Sequence, residues 1–484
     1  MWIAESQMMK ETIFITKMDE TFFPLKNQVN IERGNALTID WKTILSPEKC
    51  NYIMGNPPFV GARLMEQGGR QKEEIKKVFG NIKNVHDLDY VTGWYRKAAE
   101  YAYKTEIEIG FVSTNSIVQG SQVPILWNVL LNQYQMKINF AHQTFLWGSE
   151  SNEEAHVHVV IIGMSGVERS EKMIFSYRDI KSMAEKQSVK YINSYLLPAE
   201  IGYIDAHKDA ICDVPKMSFG NQPRDGGFFV LKENEKDEIL RKEPELEKWI
   251  RLYIGADEFI KGKKRWCLWL KHAMPSDIKN SRILYDKVQA VKQFRLDSKA
   301  KTTNGYAKVP HLFAQITQPD NVDYLLIPSV SSERREYIPI GFMSSAIISS
   351  NAVQIVPNAT LYHFGVLTSN VHMAWMRTVA GRLKSDFRYS KEIVYNSFPW
   401  PQPTEEQIRK IEETAQKILD TRDLYKEEPF SVLYDPDTMP RDLQKAHIAN
   451  DIAVMRAYGF SVKDTSAMDC VAALMQMYQE IIRG

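Results

Sequence analysis

Apolar and polar positions in the first third of the chain alternate between two periods. Short apolar runs of strand length occupy residues 28–32, 51–54, 108–113, 137–142 and 156–164, while residues 89–104 place Tyr90, Val91, Trp94, Ala98 and Tyr101 at helical spacing. Strands alternating with a helical pattern predict an α/β sheet, with ligands held at the C-terminal ends of its strands. From about residue 171 to 400 that regularity is lost, and short runs are broken by prolines and aromatic residues. Pro399, Pro401 and Pro403 then mark a boundary, and Thr404 is placed to cap a helix whose apolar stripe is Ile408, Ile411, Ala415, Ile418 and Leu419. A second helical run over 441–458 ends at Gly459, a residue suited to a helix C-terminus. The pattern divides the chain into residues 1–170, 171–403 and 404–484.

Composition adds limits. A chain of 484 residues exceeds one ordinary domain, and 44% hydrophobic with 25% charged residues excludes a disordered chain. The formal net charge is only +1, so a nucleic-acid footprint has to come from local clustering. Clusters of that kind occur in the middle segment: Lys261, Lys263, Lys264 and Arg265 beside Trp266; Lys287, Lys292, Arg295, Lys299 and Lys301; Arg334 and Arg335; Arg377, Arg382, Lys384 and Arg388. Lysine and arginine at this density suit phosphate contacts, and arginine also reads base edges. For any one of them, a solvated surface is the plainer reading. The four cysteines, Cys50, Cys212, Cys267 and Cys470, form no CxxC pair, which fits a reducing cytosol and argues against structural zinc. His156 and His158 share a strand face but have no carboxylate pattern near them, so no metal is expected. No apolar run reaches membrane-spanning length and the N-terminus lacks a signal-peptide pattern, so a soluble cytoplasmic protein is expected.

The candidate chemistry lies in residues 51–59, Asn-Tyr-Ile-Met-Gly-Asn-Pro-Pro-Phe. A short strand is stopped by Gly55 and followed by an amide side chain, two residues of fixed φ and an aromatic ring. Pro57 restricts Asn56 to extended conformations and Pro58 does the same to Pro57, so Asn56 Oδ1 and the Pro57 carbonyl are held as two acceptors. Two fixed acceptors suit an exocyclic NH₂ group. They draw it toward tetrahedral geometry and free its lone pair for attack on an electrophilic methyl group. Phe59 would stack on the base. The plainer alternative is a proline-rich loop that merely ends a strand.

The corner resembles the (D/N/S)PP(Y/F) motif of the amino-group DNA methyltransferases. The stretch 34–41 is similar to the acidic strand end that contacts the cofactor adenine in that superfamily, and Asp40 lies 16 residues before Asn56. The stretch 140–148 resembles the place where an aromatic residue stacks on a flipped adenine, with Phe145 the candidate and Trp147 in reserve. Together with 266–270, 331–339 and 396–401, these motifs resemble the MmeI-like group of combined restriction-modification enzymes and cover most of the chain.

That resemblance implies a partial Rossmann-like class I methyltransferase sheet, then a mixed α+β target-recognition domain, then a C-terminal helical segment. Asn56, Pro57, Pro58, Phe59 and Phe145 become the expected catalytic residues, with Asp40 and Asn56 on S-adenosylmethionine. Lys263, Lys264, Arg265, Arg295, Arg334, Arg335, Arg382, Lys384 and Arg388 become the expected contacts to double-stranded DNA. The resembled group chooses its sequence with residues between 310–313 and 398–401.

No glycine-rich turn follows a strand anywhere before Asn56. The chain is therefore expected to begin inside the catalytic domain, without the nuclease of the resembled group. A full cofactor pocket is expected to need an N-terminal half, in cis or from a separate chain. The leading expectation is methyl transfer to the N6 amine of a flipped adenine, with cytosine N4 left open because it presents a similar amine. The alternative is a non-catalytic DNA-specificity module with a vestigial methyltransferase half. A third reading, methylation of protein glutamine or of RNA, is disfavoured by the long basic segment.

Overall fold

In the computed structural model, which describes residues 31–65, 69–147, 157–177, 182–200 and 202–484, the first third of the chain builds one mixed sheet. Its strands are β1 (Tyr52–Gly55), β2 (Glu108–Thr114), β3 (Lys137–Trp147), β4 (Val157–Ser165), β5 (Lys172–Ser176) and β6 (Glu185–Val189). Their spatial order is β1-β2-β4-β3-β5-β6, with β1–β2 and β3–β5 parallel and the other neighbours antiparallel. Two helices, α1 (Arg70–Phe79) and α2 (Thr92–Tyr101), lie between β1 and β2 in the chain.

Side-chain periodicity explains the packing. β2 buries alternate residues, and Ile109, Phe111 and Ser113 are turned inward. Tyr95 of α2 meets them: its ring packs edge-on against Phe111 at 5.2 Å and its hydroxyl pairs with Ser113 Oγ at 2.9 Å. Between β3 and β4, Gly163 stands opposite Phe140 in register, and a Cβ there would fall 2.0 Å from the ring.

Differences from the predicted elements have local causes. The strand expected over 28–32 falls mainly outside the described residues, and Ile31 and Glu32 are not in a strand. Residues 34–40 form turns rather than the expected strand end. The predicted helix over 89–104 starts late, because the Asp89 carbonyl receives the Thr92 amide and hydroxyl. It ends early, with Lys104 at φ +61°. β3 extends five residues beyond its predicted end, passing through two register shifts.

The middle segment is mixed α+β. In chain order it contains β7 (Ile250–Ile254), β8 (Trp266–Leu268), α3 (Arg282–Leu296), β9 (Tyr324–Pro328), β10 (Val330–Ser331), β11 (Val353–Pro357), α4 (Leu361–Thr368), α5 (Asn370–Val379), β12 (Gly381–Leu383) and β13 (Asp386–Arg388). β9 and β11 are antiparallel partners, buried throughout except at Pro357, while β10, β13 and β12 make a separate three-stranded sheet.

The tail is α6 (Glu405–Asp423), α7 (Arg441–Ala457) and α8 (Ala467–Arg483). Thr404 caps α6 with Gln407 reciprocating, Ile411, Ala415 and Ile418 are buried, and Gly459 takes φ +76° after α7. These helices pack against the middle segment. A Cβ on Gly365 of α4 would fall 2.6 Å from Ile411, and Asn450 of α7 donates to the Gly365 carbonyl at 2.8 Å. One apolar core joins buried residues between Leu37 and Met217 to others between Leu325 and Tyr478, while residues such as Phe229, Leu268, Val291 and Phe313 build a separate core.

Candidate active site and nucleic-acid interface

β1 delivers the Asn56 corner at its C-terminal end, where Gly55 is paired with Phe111 of β2. Pro57 is buried, Phe59 half-buried, and Asn56 and Pro58 are exposed. Beyond the corner the chain is tied at once: the Val60 carbonyl accepts from the Tyr90 amide at 2.9 Å, and the Ala62 amide donates to Asp89 Oδ1 at 2.6 Å. The segment is thus fixed on both sides by hydrogen bonds and within by two prolines. Among the described residues nothing donates to Asn56 Oδ1 or to the Pro57 carbonyl. Two adjacent acceptors are left for a ligand.

A cavity of about 510 Å³ adjoins the corner. Its wall includes Trp41, Met54, Trp94, Tyr101 and Phe111 together with Asn56, Pro57 and Pro58, and among the described residues it contains no charged side chain. Asp40 is exposed at its margin, one residue before Trp41, and its carboxylate caps the short turn Trp41–Thr43 by accepting from Lys42 N at 3.1 Å. Trp41 Nε1 donates to the Ala36 carbonyl at 2.9 Å, and its ring lies 5.9 Å from that of Tyr101. Lys97 reaches the carbonyls of Leu37 and Ile39, and burial lowers its pKa.

This wall fits part of S-adenosylmethionine. Apolar and aromatic surface suits the adenosyl portion, and Asp40 and Asn56 can accept from amines. The ammonium and carboxylate of the methionyl portion find no charged partner in the cavity wall among the described residues.

Sequence patterns gave no sign of two buried groups behind the corner. Glu74 of α1 accepts from Tyr90 Oη at 2.5 Å and from Arg70 Nε at 2.7 Å. Burial works to raise its carboxyl, but these bonds outweigh it and hold the group below the usual carboxylate range. Tyr90 is pushed up to about 12, by burial and then by Glu74. The second group is Asp89, which is 6% exposed.

Phe145 lies at the same end of the sheet as the corner, but not beside it. It pairs with Val159 of β4, Val159 pairs with Thr114 of β2, and β1 flanks β2. Three strand spacings separate the two, roughly 14 Å. Tyr177 stacks on Phe145 at 5.1 Å and receives a 2.8 Å hydrogen bond from, or gives one to, His142 Nδ1. One face of Phe145 is therefore already covered. Trp147 is 38% exposed. Of the two histidines noted in the sequence, His156 lies outside the described residues and His158 pairs with Leu146. Among the described residues no three His, Cys, Asp or Glu side chains are grouped to hold a metal.

The basic candidates fall into three settings. Arg295 is a correction: it is wholly buried in α3, and its guanidinium donates to the carbonyls of Pro223, Arg224, Tyr306, Val309 and Leu312 at 2.7–3.1 Å. It has no hydrogen left for a phosphate. Sequence held a signal for this, because Leu284, Val288, Val291 and Arg295 follow one another on a single helical face.

Lys263 and Arg265, before β8, are paired with Asp257 and Glu258, each at 2.9 Å. Lys264 between them is exposed with no partner among the described residues.

The third setting is the β10-β13-β12 sheet, which gathers Arg334, Arg335, Arg382, Lys384 and Arg388. Arg334 is paired with Asp437 at 2.5 Å. Arg382 lies 3.8 Å over the Phe387 ring and 3.3 Å from Glu333, while Lys384 and Arg388 are exposed. The Nε groups of Arg335 and Arg382 are buried without a partner, and burial lowers the pKa of both side chains. Two arginines not singled out as contacts join the group. Arg377 donates to the carbonyls of Arg335 and Glu336, and Arg63, seven residues after Asn56, is close enough to Arg388 to add to the lowering that burial causes there.

Known proteins resemble the chain throughout. Models for the DNA-methyltransferase domain, target recognition domain and C-terminal domain of MmeI match residues 1–176, 198–402 and 403–484. DNA methyltransferase A of Bacillus subtilis (strain 168) is 35% identical over 484 residues, which cover 99% of this chain and 54% of that protein. A structure of the Type IIL restriction-modification enzyme MmeI in complex with DNA aligns with a TM-score of 0.87 at 43% identity, over 100% of this chain and 64% of that one. The chain thus spans about half the length of the curated relative it matches.

Proposed function

The chain belongs to the MmeI family of DNA methyltransferases, and from that premise we propose that it methylates the exocyclic N6 amine of an adenine flipped out of a specific duplex DNA sequence, within a restriction-modification system. The observation that carries this reading is the pair of unpartnered acceptors, Asn56 Oδ1 and the Pro57 carbonyl, held at the end of β1. S-adenosylmethionine, when bound, supplies a methyl group on a sulfonium. The chain's own residues act on the base. Asn56 and Pro57 accept from its amine, orient the nitrogen lone pair toward the methyl carbon and stabilise the positive charge that grows on nitrogen as the N–C bond would form and the methyl–sulfur bond would break, its electron pair leaving with the neutral thioether. The amine proton then leaves to solvent. Phe59 stacks on one face of the base and Phe145 on the other.

The work divides along the chain: residues 1–170 carry the chemistry, 171–403 read the duplex, and 404–484 brace the reading segment. Arg335, Arg382, Lys384, Arg388 and Lys264 contact the DNA; Arg334, Lys263 and Arg265 do so on exchanging their carboxylate partners for phosphate. Asp40 receives the cofactor's adenine amine. The charged end of the cofactor is met by groups outside the cavity wall, in an N-terminal half or a second chain. The protein acts on cytoplasmic DNA.

Asn56→Ala in the full-length protein is expected to lower methyl transfer by roughly 10²–10³-fold. DNA affinity should stay within about twofold, measured with radiolabelled cofactor and by anisotropy. Loss of binding and activity together would make Asn56 a folding residue. A second reading, a specificity module without catalysis, draws on the lack of a charged partner in the cavity wall among the described residues. It predicts sequence-specific binding with no methylation by the unmodified full-length protein. Micromolar binding of S-adenosylmethionine to residues 1–484 alone, by calorimetry, would refute the incomplete pocket.

A further inference from the structure

Asp89 sits where three loops converge, and its carboxylate is buried with neutral partners. Oδ1 accepts from the Ala62 amide at 2.6 Å, six residues past Asn56, and Oδ2 accepts from the Ser116 hydroxyl in the loop after β2. Its own amide donates to Gln122 Oε1 at 2.8 Å, and Ser116 is further held by Thr114 at 2.7 Å. A carboxylate accepts from both sides at once, whereas an amide side chain offers one acceptor oxygen and one donor nitrogen.

The loop that Asp89 grips, residues 115–122, also carries the recognition hairpin. Gly120, at φ +65°, donates its amide to the Val379 carbonyl at 3.1 Å, and a Cβ on it would lie 2.7 Å from Gly381 Cα, the first residue of β12. Backbone therefore rests on backbone at the point where the basic sheet meets the catalytic domain. A continuous path of contacts runs from the Asn56 corner through Ala62, Asp89 and Gln122 to Gly120, Gly381 and the hairpin that ends at Arg388.

We infer that Asp89 is a positioning residue that fixes the offset between the Asn56 and Pro57 acceptors and the hairpin holding the DNA, so that the extruded base arrives within reach of the acceptors. The inference rests on the reading of Asn56 as catalytic. It assigns Asp89 no contact with base or cofactor. Its removal is therefore expected to act on turnover and not on binding.

The test compares the full-length protein with its Asp89→Asn, Ser116→Ala and Asn56→Ala variants on duplex DNA containing the site that the unmodified protein methylates, with 2-aminopurine replacing the target base in a parallel set. Asp89→Asn should lower kcat by about 10²-fold, the scale of an ångström misplacement at a reacting centre. KM for DNA and for S-adenosylmethionine should stay within about threefold. Fluorescence of 2-aminopurine should still rise on binding, because extrusion persists while capture fails. Ser116→Ala, which keeps the Ala62 tie, should lower kcat by about tenfold, and it decides the matter if Asp89→Asn does not fold. Unchanged kcat in the folded variants, or a loss of DNA binding parallel to the loss of turnover, would overturn the positioning role. If Asn56→Ala turns over normally, the catalytic reading itself fails. If Asn56→Ala is inactive while Asp89→Asn is not, only the positioning role fails.

Discussion

Around α3, the guanidinium of Arg295 is wrapped by five backbone carbonyls, whereas on β13 the side chain of Arg388 is exposed though partly covered, and feels the charge of Arg63. Both residues lie in stretches dense in lysine and arginine, and both suit DNA by residue type. What separates them is what already occupies their donors. Arg295 closes loop ends that no strand partner satisfies, so its charge is consumed in folding. Among the described residues Arg388 has no hydrogen-bond partner, and it is joined by Arg382 of β12 and by Lys384 and Arg335 in turns next to the same small sheet. On the proposed reading, a basic residue is free for DNA where its hydrogens are unspent or held only by exposed carboxylates that phosphate can replace.

Substitutions can break that contrast, and the largest effect belongs to Arg295. Arg295→Ala should destabilise the protein by about 3–5 kcal/mol, because five buried carbonyls lose their donor together. Urea denaturation measures this, and DNA affinity per folded molecule should be unchanged. A weakened affinity at equal folding would move Arg295 to the DNA side.

The next effect concerns the tail's hold on the loop that carries Arg334 and Arg335. Asp451 of α7 accepts from Tyr337 at 2.6 Å and from the Asn370 amide at 2.8 Å, and burial pushes its carboxyl up to about 7. A carboxyl raised above its unfolded value of 3.8 favours the fold most below about pH 4, and that contribution is lost as pH rises to about 7. Asp451→Asn stays neutral throughout. It should match the unmodified protein near pH 4 and exceed it at pH 8 by on the order of a few kcal/mol. Parallel stability curves from pH 4 to 8 would refute it.

Arg388→Ala should weaken DNA binding by about tenfold and reduce the slope of log affinity against log salt by about 1, with the melting temperature unchanged. Smallest of all, Lys263→Ala should change stability by less than about 0.5 kcal/mol, because its pair with Asp257 is exposed on both sides. An effect on DNA binding as large as that of Arg388→Ala would put residues 263–265 on equal footing with the hairpin.

Strands β1 to β4 were legible because apolar runs of strand length are bounded by breakers, whereas β5 and β6 were not read and Ile31 and Glu32 of the run at 28–32 lie in no strand; the tail was legible because Thr404 and Gly459 mark helix ends. The corner was legible for a different reason: two prolines after an asparagine restrict the backbone whatever surrounds them. Asp89 was not. Its partners lie 27 residues away on either side, at Ala62 and Ser116, and no periodicity joins them. The β10-β13-β12 sheet escaped notice as well, since strands of two and three residues carry no readable alternation. Arg295 shows the opposite failure, in which residue type was read and the helical stripe containing it was not.

The core shared across residue 403 has a practical meaning for transplantation of specificity. With Ile411 filling the place of a side chain on Gly365, and Asn450 bonded to that glycine's carbonyl, residues 361–379 and 404–457 share one interior. A graft cut at residue 403 would carry away a helix pair stripped of its cover. The smallest portable cassette therefore runs past that proline-rich joint and keeps both sides of it.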